Sequence, residues 1–241
     1  MRLGARALAA RRIEIAVNGL KHIPREGPAL LVARHYHHLF DGVVLLLSLP
    51  RPIHILVTLD WAKHKPVRRL MTLATTMARW PVVPRDDALR ARGDPDRGQG
   101  SALTGVDIKR YQRAALRHSV ALLAQGRLLV IFPEGYPNID PHYTPKTKPE
   151  ELLPFRTGFA TIAAVAEKRL GIKIPIVPAG FHYTKDKRWR ARFNIGEAVY
   201  LENFVSRRAL VNYMEERVAE LSTFLSRGSR SENSIVQAEG S

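Results

Sequence analysis

Short apolar runs alternate with amphipathic stretches along this chain. Residues 29–33 (ALLVA) and 127–132 (RLLVIF) are too short for core-spanning helices. They suit strands buried on both faces of a largely parallel sheet. Residues 13–19 (IEIAVNG) alternate apolar with polar and close on Asn-Gly, which predicts a strand and a turn. Residues 53–59 and 174–180 predict two further strands, 80–85 (WPVVPR) a short one that delivers Arg85, and 190–197 a short strand and turn. Helical spacing predicts helices over 42–49, 66–79, 106–125, 157–170 and 210–225, with Gly126 as a stop after the third.

In the helix over 66–79, Val67, Leu70, Met71, Leu73, Ala74 and Met77 fall on one side and Arg68 and Arg69 on the other. That pattern fits a core-facing helix or one whose basic face meets lipid headgroups. Residues 86–105 are polar and 136–154 carry five prolines, so both are expected to be loops. Strands alternating with helices predict one α/β domain over residues 13–226, with a mixed, largely parallel sheet flanked by helices. It is preceded by a basic N-terminal helix (1–12) and followed by a polar, disordered tail (227–241).

Charge alters this picture more than composition does. The 241 residues hold 38 Lys+Arg against 22 Asp+Glu, a formal net charge of +16. Such a field draws phosphates, whether on lipids, soluble substrates or nucleic acid. Aromatic residues make up 7% and form no base-stacking pattern, so nucleic acid is not expected as a partner. Cysteine is absent, which removes disulfides, thiolate metal sites and cysteine nucleophiles. No run of about 18 apolar residues is present. The basic start, 1–12, lacks the apolar stretch of a signal peptide. The expectation is a cytoplasmic protein lying on the inner face of the cell membrane, held by an anionic surface rather than spanning it.

The densest chemistry lies at Arg34-His35-Tyr36-His37-His38-Leu39-Phe40-Asp41-Gly42, between the strand at 29–33 and the helix that follows. A loop between strand end and helix start is a favoured site in α/β sheets. A histidine whose pKa is near neutral can take a proton from a hydroxyl, and a carboxylate on its other nitrogen fixes the tautomer. A metal held by His37 and Asp41 with His38 or a remote group is a rival reading, as is a polar loop whose histidines serve as caps. Phe132-Pro133-Glu134-Gly135 forms a second group, at the end of the strand at 127–132. Its glycine permits a sharp turn or close approach to a ligand, and its carboxylate could bond a substrate hydroxyl or hold a nearby arginine in place. Arg85 offers the forked donors that suit a phosphate.

In this order the motifs resemble those of the PlsC-like glycerolipid acyltransferases, the 1-acylglycerol-3-phosphate acyltransferase family. The resemblance runs from about Ile13 through the helix at 210–225. ALLVARH is similar to the strand that ends in the family's catalytic histidine, Val82–Arg85 to its second block, FPEG to its third, and 174–180 to its proline-containing fourth. Phe155-Arg156 with Gly158 resembles the segment after the third block. The family pattern places four residues between histidine and aspartate. Counting back from Asp41, that position holds Tyr36, with His35 one residue further away and His38 two nearer. Read from the strand, His35 takes the catalytic position, with His38 second. Arg34 replaces the usual asparagine or serine, and Tyr136-Pro137-Asn138 follows FPEG where the family often has Thr-Arg-Ser.

The resemblance implies a glycerol-3-phosphate acyltransferase-like fold and an O-acyltransferase. Its donor would be acyl-CoA or acyl carrier protein as co-substrate, and its acceptor a lysophospholipid, most simply 1-acylglycerol-3-phosphate. No metal or other cofactor is implied. His35 would act as base and Asp41 would orient it. Arg85, Glu134, Gly135 and Arg156 would bind the acceptor. Two alternatives keep the fold: an acyltransferase for a glycolipid or amino-acid lipid, and a non-catalytic membrane-lipid-binding protein. A nucleic-acid-binding module is favoured by charge alone.

Overall fold

Five consecutive residues with no exposed surface, Ala29–Ala33 (β2), set the centre of the sheet. A strand with apolar side chains on both faces must be covered twice, and the helices do this. In the computed structural model of the chain, residues 2–9, 12–58, 65–83, 105–140, 144–148, 150–223 and 234–235 are described. Arg85, most of the loop expected at 86–105 and nearly all of the tail from 227 lie outside the described residues.

The strands are β1 (Ile13–Asn18), β2, β3 (Ile53–Ile55), β4 (Leu128–Ile131), β5 (Ile176–Lys185), β6 (Trp189–Ile195) and β7 (Ser234–Ile235). They form one sheet in the order β3-β4-β2-β5-β6-β1-β7. The β5–β6 and β1–β7 pairs are antiparallel and all others parallel. The helices are α1 (Arg2–Ala9), α2 (Phe40–Ser48), α3 (Lys65–Met77), α4 (Gly105–Ala124), α5 (Gly158–Leu170) and α6 (Arg207–Ser222). The architecture is the single α/β domain with a mixed, mostly parallel sheet that the strand–helix alternation predicts.

Alternate residues of the central strands feed two cores. Ala29, Leu31, Leu128, Val130, Val177 and Phe181 face one side, which α1 and α2 cover. Leu30, Val32, Leu129, Ile131 and Ile176 face the other, which α4, α5 and α6 cover. The helices after β2 and β4 therefore leave on opposite faces of the sheet. A crevice opens beyond the strand ends where they part. Val32 pairs with Ile131, so the segments that continue from β2 and β4 emerge side by side.

Four elements differ from the expectation. The strand expected at 53–59 keeps its pairing with β4 only to Ile55, because Val57 turns away to bridge Val82. Among the described residues, that bridge is all that forms of the strand expected at 80–85. β5 runs on to Lys185, past the end of β2, because β6 folds back on it as a hairpin. On α3, Leu70, Leu73 and Met77 are 65%, 58% and 78% exposed, so these three do not pack into a core.

Gly180 sets the closest approach between sheet and helix. A Cβ there would collide with the backbone of Leu221 and Ser222 at the end of α6. Backbone cannot rotate away as a side chain can. Gly180→Ala is expected to lower the unfolding free energy by about 1–3 kcal/mol in urea titrations. Gly4→Ala on α1, where no atom lies within 4 Å of the added carbon, is expected to raise it slightly.

Candidate active site

The chain leaves β2 at Arg34 and wraps around one carboxylate before α2 begins. Asp41, in the first turn of α2, has no exposed surface. Its Oδ2 accepts from His35 Nδ1 at 2.8 Å, Tyr36 N at 2.7 Å and His37 N at 3.1 Å. Its Oδ1 accepts from the Tyr183 hydroxyl at 2.8 Å. Burial, reinforced by the Asp41 charge, raises the Tyr183 hydroxyl well above its ordinary value, so it remains a donor. These donors offset the cost of removing the carboxylate from water.

The carboxylate can only accept, so His35 Nδ1 carries a proton, and in the neutral ring the lone pair is on Nε2. The ring stacks on Phe132, with centroids 4.3 Å apart and planes 18° apart. Its side chain remains 19% exposed and lines the main cleft. The extra residue between His35 and Asp41 is absorbed by the turn itself, since Tyr36 and His37 point their amides back at the same oxygen. The segment is pinned from outside by Ile139, which donates to Tyr36 O at 2.8 Å and accepts from His38 N at 3.1 Å.

The other two histidines have different tasks. His37 is buried, and its Nδ1 accepts from Leu39 N at 3.2 Å and Phe40 N at 3.3 Å, capping the start of α2. Burial, with the neighbouring His38, pushes its pKa down to about 4. His38 lines the cleft, but its Nδ1 donates to Ile139 O at 3.1 Å rather than to Asp41. Among the described residues, no group of three or more His, Cys, Asp or Glu side chains could hold a metal.

Glu134 is 2% exposed and absent from the cleft lining. Its Oε1 accepts from His35 N at 2.8 Å, and its Oε2 from Leu153 N at 3.0 Å and Lys146 Nζ at 2.5 Å. The reason is topological: β2 and β4 end side by side, so the turn after β4 points its carboxylate at the main chain after β2. Gly135 closes that turn with φ +77°, donating to Phe132 O at 3.1 Å. The Arg156 guanidinium lies over Gly135, and both line the cleft. Arg85 lies outside the described residues.

No sequence pattern marks Lys146 or Tyr183: the first sits in the proline-rich loop and the second in the polar-looking end of β5. Arg34 is buried and donates to Asn138 Oδ1 at 3.4 Å and Glu151 O at 3.1 Å, tying the same loop to the site.

The cleft measures about 1370 Å³. This exceeds the ~300–1,000 Å³ of ordinary small-molecule sites. Ile55, Leu56, Leu116, Ile131, Phe159 and Ile162 supply apolar wall. The exposed cations Lys109, Arg113 and Arg156 also line it. A long apolar ligand with an anionic group matches this division, and His35 stands at its polar boundary.

The sequence profile of the Acyltransferase family matches residues 14–182. Over 166 residues the chain is 30% identical to uncharacterized proteins of Mycobacterium tuberculosis and Mycobacterium bovis, covering 68% of this chain and 36% of each of them. The chain thus spans about a third of the length of the curated relatives it matches. The crystal structure of the 1-acyl-sn-glycerophosphate acyltransferase PlsC from Thermotoga maritima superposes with a TM-score of 0.58 at 19% identity. It covers 90% of this chain and 74% of that one.

The His37 cap generates a pH dependence of stability. Its folded pKa lies below the unfolded value of about 6.5, so the stability it contributes is present above pH 6.5. That stability is lost as pH falls through the window down to about 4. Replacing His37 with Asn, whose carbonyl can still accept from the helix, is expected to flatten the fall in urea midpoint over that window. The two proteins should differ little at pH 7.5.

Proposed function

The chain belongs to the Acyltransferase family, and from that premise we propose that it transfers a fatty acyl chain from a thioester to a lipid hydroxyl. The observation that carries the reading is His35, held through Nδ1 by buried Asp41 with its ring on a large, apolar cleft. Nε2 takes the acceptor hydroxyl proton as that oxygen attacks the thioester carbonyl carbon. The carbon–sulfur bond then breaks, and the imidazolium returns the proton to the leaving thiolate. The products are an ester and a free thiol of coenzyme A or acyl carrier protein. Asp41 steadies the transient imidazolium. Holding hydroxyl and thioester together in one cleft supplies much of the rate by orientation.

The acceptor we propose is a lysophospholipid, most simply 1-acylglycerol-3-phosphate, the substrate type named for the Thermotoga protein that shares the fold. Gly135 and Arg156 stand nearest the turn at Glu134, and Lys109 and Arg113 add positive charge along the same cleft. One observation favours a second acceptor class, a glycolipid or amino-acid lipid. The residues after FPEG are Tyr136-Pro137-Asn138; Tyr136 is buried and Asn138 bonds Arg34, Lys146 and the chain at 148–151. None of the three offers a cation to a phosphate.

The proposal places the enzyme on the inner face of an anionic membrane. Exposed Leu70, Leu73 and Met77 on α3, with Arg69 beside them, support this, as does the net charge of +16. Among the described residues, no helix is long and apolar enough to cross a membrane.

The test is acyl transfer by the purified protein, with labelled acyl-CoA and acyl carrier protein as donors and a panel of lyso-acceptors. His35→Ala is expected to lower kcat/KM by about 10²–10⁴. His38→Ala is expected to lower it by less than about tenfold, since that ring bonds a backbone carbonyl. Equal losses in the two variants, or none in either with folding intact, would remove His35 from the role of base.

A further inference from the structure

His35 is gripped by its backbone as well as by its ring. Glu134 Oε1 accepts from the His35 amide at 2.8 Å, while Lys146 Nζ donates to the His35 carbonyl at 3.0 Å. The two gripping groups are joined to each other through Glu134 Oε2, and neither side chain has exposed surface. Lys146 also donates to Asn138 Oδ1 at 3.0 Å, and Asn138 Nδ2 donates to Lys148 O and Glu151 O. The loop that carries Lys146 is thereby laced to itself and to the segment after β2.

We infer that Glu134 and Lys146 form a buried ion-pair clamp that positions the His35 main chain, and that neither touches the acceptor. The inference rests on the reading of His35 as base and reassigns the FPEG carboxylate from substrate contact to positioning. A buried ion pair adds little net stability over apolar replacements, so its retention calls for another use. Fixing both peptide groups that flank one residue is such a use. The ring direction set by Asp41 is meaningful only if the Cα of His35 does not drift.

Lys146→Met alone strands a buried carboxylate, so the informative variant is the neutral pair E134Q/K146M. If that protein does not fold, Lys146→Arg carries the same measurements, because it keeps the charge while moving the donor. With the acceptor and donor that the wild type uses, kcat is expected to fall by up to about 10²-fold, with KM for both substrates within about twofold. An acceptor KM that rises tenfold or more with kcat retained would overturn the clamp and return Glu134 to substrate binding; an unchanged kcat would also overturn it.

The second measurement needs no turnover. Amide hydrogen exchange at His35 is expected to be protected in the wild type and at least about tenfold faster in the variant, with the β2 and β4 amides unchanged. Unaltered exchange at His35 would overturn the clamp. A wild type without acyl transfer but with this exchange pattern would leave the clamp standing and sink the proposed activity instead.

Discussion

A buried carboxylate can be kept only where enough donors converge on it, and Asp41 organises the site by that demand. Its two oxygens gather the His35 ring, two consecutive main-chain amides and the Tyr183 hydroxyl. These donors come from the end of β2, the turn before α2 and the far end of β5. Meeting them fixes the path of the turn, the tautomer of His35 and the overhang of β5 beyond its partner. Removing such a charge from water costs several kcal/mol unless its bonds are replaced. The arrangement is therefore close to all-or-none.

The rest of the site follows from sheet register. Val32 beside Ile131 brings the turn after β4 against the backbone after β2, and Phe132 then forms the surface on which the His35 ring stacks. Because α2 and α5 leave on opposite faces, the strand ends open onto a cleft rather than a sealed core. Apolar walls and exposed cations meet there, which is the environment an acyl chain with an anionic partner requires.

Much of the fold is legible in the sequence because its strands are buried on both faces and so read as unbroken apolar runs. ALLVA and LLVI leave little choice of element, and glycine marks the end of α4. The meeting of His35 with Asp41 is legible from the strand side, since a residue at the end of β2 has little room to be elsewhere. Other features depend on contacts between distant segments. Tyr183 lies 142 positions from the carboxylate it bonds, in a stretch of β5 whose alternation of His182, Thr184 and Lys185 resembles a surface. Lys146 lies in a loop with no periodicity. The inward direction of Glu134 comes from the β2–β4 register and not from its own tetrapeptide. On α3 the apolar stripe reads as core-facing until the packing among the described residues leaves Leu70, Leu73 and Met77 exposed.

The central claim is that His35 holds its proton on Nδ1 against Asp41 and presents Nε2 to the acceptor. Long-range proton–nitrogen correlation spectra of the histidine rings, recorded across pH for the wild type and an Asp41→Asn variant, test it directly. In the wild type, the neutral His35 ring should show a protonated Nδ1 and an unprotonated Nε2. Asp41→Asn should abolish that tautomer preference together with acyl transfer. A neutral His35 ring with its proton on Nε2, or a tautomer that Asp41→Asn leaves unchanged, would contradict the account.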